Sequence, residues 1–529
     1  MRRRDLLKTA AAATLATGLA PTITRAADRA KTLTFTGVAD LSLLDPVVSG
    51  NRPTRNYGYL VFDTLYGLDT EWKAQPQMVE SHAVENDGLV WTLKLRDGLR
   101  FHDNEPVLAR DVVASVRRFA PRVIFAAALM DATDELSAPD DRTVRFRLKR
   151  RFPNLPQALA GPGGNVPAIM PERIASESPF KPVAEIVGSG PYRFLKDEHV
   201  SGARAAFERF AAYKPRDGAR GFTSGPKIAH FERVEWLTLD PFSAMAALKR
   251  GEIDWWENPS RDLVDQVTGD RNITVVSHFA TAMGIMTFNQ LHPPFDNPAI
   301  RRALLGAVDQ AEAIAAIAGS DPDNWRDGIG LFGTGAPFAS DVGTEILRSP
   351  RNYPAVKQAL AAAGYKGEKV MVMAPTDVHE LGNLTRTGAE QLRRAGMNVD
   401  LQEMDFGSVV RRRSNQGPPD KGGYDMFCTL IDRSLPNSHP FGNLAIRADG
   451  KEVINGWAKS PRIEELRAAW LDTADFAEQK RICAELQNQL FADVPFIPLG
   501  EYWQASAYRK DLADILPGCF ATFYGVRRA

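Results

Sequence analysis

The chain has 529 residues and a mass of 58.2 kDa, enough for three or four domains of ordinary size or for two large lobes. Hydrophobic residues at 44 % and charged residues at 25 % match the globular average, which excludes a disordered chain and a coiled coil. Lys+Arg and Asp+Glu stand at 65 each without a long like-charge block, so neither a nucleic-acid groove nor a polybasic membrane patch is expected.

Residues 1–26 read as a cleavable export signal. Arg2, Arg3 and Arg4 lead through Asp5, Leu6, Leu7 and Lys8 into a soft apolar run from Thr9 to Ala20, and Arg25-Ala26-Ala27 offers a small-residue cleavage point. The run is about 12 residues, whereas a membrane-spanning helix needs about 20. Arg3-Arg4-Asp5-Leu6-Leu7-Lys8 is similar to the twin-arginine signal associated with export of folded proteins. No cysteine follows the run, so no lipid anchor is expected, and no later apolar stretch reaches spanning length. Removing five basic residues and one acidic residue from the balance leaves the mature chain about −4. A soluble protein outside the cytoplasm is the expectation.

Strands alternate in polarity. Thr32 to Thr36 opens the body; Leu89 to Arg96 puts Leu89, Trp91, Leu93 and Leu95 on one face, and Val144 to Lys149 repeats the pattern. These predict a small half-solvated sheet within about residues 67–187. Asp103-Asn104, between Phe101 and Pro106, predicts a turn. Further on, Asn297 to Gly319 predicts one helix, with Pro298 near its start and Gly319 near its end. Lys369 to Met373, a helix over about 384–394, and Asn398 to Leu401 make a βαβ unit, hence a parallel pair. Phe476 to Ala492 predicts a long amphipathic helix, and Pro495 to Leu499 a final strand. Cys428, Cys483 and Cys519 allow at most one disulfide and form no CxxC pair.

Several of these segments, in this order, resemble the extracytoplasmic solute-binding proteins of ABC importers, the large peptide/nickel-type family 5. The residues that carry the likeness are Leu95-Arg96-Asp97-Gly98-Leu99-Arg100-Phe101-His102-Asp103 with Pro106 to Val112, then Gly188-Ser189-Gly190-Pro191-Tyr192-Arg193-Phe194. Leu248 to Asp254, Phe288-Asn289 through Pro293-Pro294-Phe295 to Arg301-Arg302-Ala303-Leu304, Ala361 to Tyr365, and Gly423-Tyr424-Asp425 continue it over nearly all of the mature chain. Asn104 replaces the family's usual Gly, and Leu108 replaces a Thr that commonly caps the next helix. Peptide binders of the family hold the peptide ammonium with an acid about ten positions after the tyrosine–aspartate pair. Here that place is near Ser434, and Asp432 arrives two residues early.

The resemblance implies an α/β, two-lobed periplasmic-binding-protein fold (class II-like, a Venus flytrap) with an extra small α+β domain. Its lobe I would comprise 27–66, 188–283 and 495–529, its extra domain 67–187, and its lobe II 284–494. Ligand contacts are expected from the cleft. Of Trp255 and Trp256, which face opposite sides of a strand, Trp256 is assigned to the ligand unless both belong to the core. Asn289 is placed where the chain crosses between lobes, to bond ligand or to hold the hinge. Phe332 lies in Gly328-Ile329-Gly330-Leu331-Phe332-Gly333, which has the GxGxxG spacing but no preceding strand, and so reads as a glycine-rich cleft loop. Asp432 would neutralise a ligand cation and Arg433 would take a carboxylate, unless they form a surface pair. Tyr57 and Asp45 stand in a first strand-to-helix region that reaches the cleft in relatives.

Eight scattered histidines form no metal-ligand spacing, and no cofactor is expected. Ser178-Pro179-Phe180-Lys181 has the SxxK spacing of acyl-transferring enzymes, but its proline spoils the helix that would align Ser with Lys. The function expected is a monomeric periplasmic receptor, not an enzyme. It would capture a small peptide-like or amino-acid-derived solute and pass it to a membrane permease. The alternatives are a metal chelate or opine ligand, a receptor feeding a sensor, or a periplasmic hydrolase.

Overall fold

The structure, a computed structural model, describes residues 29–161, 164–432, 439–452, 454 and 456–529. The readings on residues 1–26, on Arg433 and on the position near Ser434 lie outside these.

Two strands organise the molecule. Ile273–Phe288 runs for 16 residues and Phe496–Arg509 for 14, antiparallel to each other. At about 3.4 Å per residue each exceeds 45 Å, more than twice an ordinary strand. Their pairing breaks register between Val276 and Ala280. On one side of that break, Ser506 to Arg509 pair with Ile273 to Val276, and Ala507 and Tyr508 also pair with Trp255–Trp256. The sheet then continues through Thr32–Thr36, Arg233–Leu237, Arg204–Arg209 and Tyr192–Phe194. On the other side, Ala282 to Phe288 pair with Met426–Asp432, followed by Lys369–Pro375 and Asn398–Met404. One eleven-stranded sheet therefore serves two halves. The strand expected to end at Leu499 instead begins in the second half and enters the first only near Ser506.

Each half has its own packing. In the first, Phe35 meets Trp236, Trp255 and Phe523 edge-on at 4.9, 5.2 and 4.9 Å. In the second, Val370, Val372, Met426 and Ile497 lie under Leu384 and Leu392 of helix His379–Arg394. The expected βαβ unit is present, with Lys369 opposite Asn398 in a parallel register. The single helix expected over 297–319 is two, Pro298–Leu305 and Gln310–Ala318. Asp309 interrupts it because its carboxylate accepts from the Glu312 N–H at 3.0 Å and so starts a new helix.

Residues 79–148 add a four-stranded antiparallel sheet in the order Val79–Glu85, Val90–Leu95, Thr143–Leu148, Thr133–Ser137. Trp91, Leu93, Leu95, Val144, Phe146 and Leu148 are buried, as the alternation required, and Val90 is buried beside them. Asn104 takes a left-handed φ of 69° in the expected turn.

The first two family markers turn out to be one contact. The His102 N–H donates to the Gly188 carbonyl at 2.9 Å and the ring Nε2 lies 3.0 Å from the Gly190 carbonyl. A side chain on Gly188 would meet the Val61 carbonyl at 2.0 Å, which explains the glycine there. His102 is buried, its Nδ1 has no partner among the described residues, and burial lowers its pKa to about 4. An unfolded His102 takes up a proton below about pH 6.5 while the folded one stays neutral, so the contribution is complete above 6.5 and is lost as pH falls towards 4. About 3 kcal/mol of stability is expected to disappear over that window. Urea titrations of His102→Gln beside the parent should show a flatter dependence between pH 6.5 and 4.

Cys428, Cys483 and Cys519 are buried and form no disulfide. Burial raises the Cys428 thiol to about 12, which keeps it protonated and unreactive.

Candidate functional site between the half-sheets

Open α/β sheets gather their loops, and bind ligands, at the carboxyl ends of parallel strands. In the first half Thr32–Thr36, Arg233–Leu237 and Trp255–Trp256 run parallel, so their carboxyl ends are Thr36, Leu237 and Trp256. In the second, Lys369–Pro375, Asn398–Met404 and Met426–Asp432 end at Pro375, Met404 and Asp432.

Helix Arg52–Val61 joins the two edges. Asn51 starts it, its side chain accepting from the Thr54 N–H at 2.9 Å, with Pro53 in the first turn. One turn along, the Asn56 amide donates to Glu257 at 2.8 Å, and its oxygen accepts from the Ala521 N–H at 3.2 Å. The other Glu257 oxygen accepts from the Val38 N–H at 3.2 Å. A buried carboxylate thus ties the loop after Thr36 to the strand end at Trp256. From the first turn of the same helix, Arg52 donates to Gln504 at 2.7 Å on the crossing strand. It also acts electrostatically on Glu380, in the first turn of His379–Arg394 beyond the second edge. Glu380 is half-buried, and that burial raises its carboxyl pKa against the lowering pull of Arg52. Arg52 thus bonds Gln504 on the crossing strand and lies close enough to the second-half Glu380 to favour its ionised carboxylate.

Few of the expected contacts fall here. Trp255 and Trp256 do face opposite sides of the sheet, but both sides are packed. Trp255 lies under Phe35 and Phe523 and bonds the Ser506 hydroxyl at 2.8 Å. Trp256 packs with Leu248, Leu263 and Val267 of helices Pro241–Arg250 and Arg261–Val267. The residue at the edge is the next one, Glu257. Tyr57 is core, its ring against Phe62, Phe194 and Phe207. Asp45 is buried in an ion pair with Arg118 at 2.7 Å.

Asn289 is not at the crossing. It lies at the far end of Ile273–Phe288, roughly 30 Å beyond the register break at about 3.3 Å per residue. There its amide donates to the Tyr424 carbonyl at 3.1 Å and its N–H to the Asp425 carbonyl at 2.9 Å. The motifs at 288–289 and 423–425 are thus two sides of one structural clasp. Phe332 is buried 6.1 Å from Phe338, and its glycine loop is fastened by Gln487, which accepts from the Leu331 N–H at 2.9 Å. The backbone of Asp432 does stand at the crossing, paired with Ala282.

Arg52, Glu257, Glu380 and Gln504 were missed. The one available signal was the Asn51-Arg52-Pro53 helix start following the Asp45-Pro46 loop; nothing local marks Glu380 or Gln504. Among the described residues no cluster of three His, Cys, Asp or Glu could hold a metal ion, and no helix is long and apolar enough to cross a membrane.

Two half-sheets sharing two through-running strands, with facing carboxyl edges, define the two-lobed periplasmic-binding-protein fold. The DppA periplasmic binding protein of Helicobacter pylori, solved with the peptide STSA, shares it at a TM-score of 0.75 and 18 % identity, over 94 % of this chain and 98 % of that one. Residues 73–451 match the model of the bacterial extracellular solute-binding proteins, family 5, and the chain belongs to that family. Along its whole length it is 33 % identical to the probable peptide ABC transporter periplasmic-binding protein y4tO of Sinorhizobium fredii, over 99 % of that protein. It is 24 % identical to the glutathione-binding protein GsiB of Escherichia coli K12, over 90 % of each.

Proposed function

We propose that the protein captures a short peptide, or a peptide-like amino-acid derivative, in the periplasm and delivers it as a monomer to an ABC permease in the inner membrane. The observation that carries this reading is the grouping at the crossing of a guanidinium, Arg52, and a half-buried carboxylate, Glu380, at the carboxyl edges of the two half-sheets. A zwitterionic solute presents the complementary charges. Water leaves as the halves close, which strengthens each charged hydrogen bond. The ligand shifts the open–closed balance only by its differential affinity for the two forms. The full-length likeness to a probable peptide-binding protein supports the ligand class. No bond is made or broken in this cycle. Export by the twin-arginine route is part of the proposal, on the strength of Arg3-Arg4-Asp5-Leu6-Leu7-Lys8.

Native mass spectrometry of the purified protein, followed by calorimetric titration with di-, tri- and tetrapeptides and glutathione, tests it. One-site binding is expected. Arg52→Gln and Glu380→Gln should each weaken it about tenfold, or about 1.4 kcal/mol. Peptide turnover in the same samples would move the reading to a hydrolase, and silence across the panel would remove the peptide class.

A further inference from the structure

The strand Ile273–Phe288 is interrupted where it passes from one half to the other. It pairs with Phe496–Arg509 as far as Val276 opposite Ser506 and resumes with Ala280 opposite Gln504. Ser277, His278 and Phe279 therefore stand against Ala505 alone, two residues more than the partner strand supplies. A bulge of this kind takes its extra residues out of the ladder and bends the strand. Held by backbone alone, it would be a loose joint.

The His278 side chain closes it. Its ring lies against Trp503, with centroids 4.7 Å apart and planes at 36°, and its Nε2–H donates to the Asp323 carbonyl at 2.8 Å. The Arg326 guanidinium lies 4.9 Å from the same indole. Asp323 belongs to the turn Pro322–Asn324, which leads into strand Trp325–Arg326. That strand pairs with Tyr502 and Glu501 along the other edge of Phe496–Arg509. His278 thus reaches over one strand to a turn on its far side and ties three strands together.

The partners of His278 are anchored in the second half. The Trp325 indole donates to the Gly319 carbonyl at 3.1 Å, just past helix Gln310–Ala318, and Tyr502 packs with Ile314 and Ala318 of that helix. The first half takes hold at Ser506, whose hydroxyl accepts from the Trp255 indole at 2.8 Å and donates to the Trp256 carbonyl at 3.2 Å. Between the two anchorages one strand has only Ser277, and the other only Gln504 and Ala505. Gln504 is shared by both halves: it accepts from Arg52 at 2.7 Å and donates to the Tyr502 hydroxyl at 3.2 Å.

We infer that His278, Trp503 and Arg326 form a clasp that fixes the bulge to the second half and confines the pivot of closure to Ser277 and Gln504-Ala505. Hinges absorb closure in a few backbone dihedrals. With the clasp made, the halves swing about one short axis; with it released, residues 277–279 join the pivot and the halves sway. The clasp acts in the ligand-free protein, so it stands apart from the ligand class proposed above.

The test is pulsed electron spin resonance of the ligand-free protein with one spin label on each half. Lys249→Cys, on helix Pro241–Arg250, and Gln358→Cys, on helix Tyr353–Ala362, supply exposed positions, and the three native thiols are buried. His278→Ala, at an exposed position, should widen the distance distribution about twofold, because a released clasp adds freely rotating dihedrals to the pivot. Trp503→Leu should widen it equally, and the double variant no further, since the two residues act as one unit. His278→Gln, which keeps a donor for the Asp323 carbonyl, should fall between. Hydrogen exchange at the Trp325 and Arg326 amides should quicken about tenfold in His278→Ala while Ser506–Tyr508 stays as in the parent. A distribution of unchanged width, with or without a lower melting temperature, overturns the clasp. Exchange that quickens equally at Ser506–Tyr508 overturns the assignment of the bulge to the second half.

Discussion

Asp45→Asn is expected to lower the unfolding free energy by about 3–5 kcal/mol in urea, while leaving the ligand affinity of the folded protein unchanged. Asp45 receives two bonds from the Arg118 guanidinium, at 3.2 and 2.7 Å, and one each from the Val47 and Val183 N–H groups, both at 3.0 Å. Both side chains of the pair are almost wholly buried. Neutralising the acid leaves a guanidinium in the interior without its counter-charge, held by neutral acceptors that include the Ser178 and Lys181 carbonyls at 3.4 and 3.1 Å. Two long-range connections break together, because Arg118 belongs to helix Ala109–Phe119 and Val183 to a distant loop. A substitution that spares stability but abolishes binding would return Asp45 to the ligand.

Phe125→Ala should act on both stability and closure. Phe125 stands on helix Ile124–Ala132 of the extra domain, and its ring meets His439, Phe441 and Trp470 of the second half at 5.0, 5.6 and 6.1 Å. Arg150 with Asp472 at 3.0 Å, and the Asn154 amide with the Leu471 carbonyl at 2.8 Å, make up the polar rim of the same contact. Removing a fully buried phenyl ring costs about 3–5 kcal/mol. Because this ring bridges the extra domain and the second half, part of that loss is expected as a shift towards the open form. Small-angle scattering of the ligand-free variant should give a larger radius of gyration than the parent, and affinity should fall with the share of closed molecules. A variant with a lower melting temperature, unchanged scattering and unchanged affinity would make Phe125 an ordinary core residue.

Local chemistry carried much of the fold. The alternation over 144–148 and the parallel unit at 369–404 each needed only nearest neighbours, and both form as expected. The marker stretches also held their meaning, although as contacts within the scaffold: His102 against Gly188 and Gly190, and Asn289 against Tyr424 and Asp425. Site residues were harder to read. Trp256, Tyr57 and Phe332 were chosen as aromatic groups near cleft-reaching segments, but an aromatic ring satisfies a core as readily as a ligand, and sequence spacing does not tell the two apart. Asn289 was misplaced because the length of the crossing strand was not visible: Ser277-His278, where one half passes to the other, reads as the end of a strand, yet the strand runs on to Phe288.

By itself, the sequence determined the class of protein: a large neutral chain with ordered family motifs, and strand and helix periods that admit a mixed α/β body. Those properties are set by residues close together along the chain. Only the tertiary structure decided which side chains gather near the crossing. Arg52, Glu257, Gln504 and Glu380 are brought together from segments up to about 450 residues apart, and the strand pairing that joins them is selected by burial over the whole sheet.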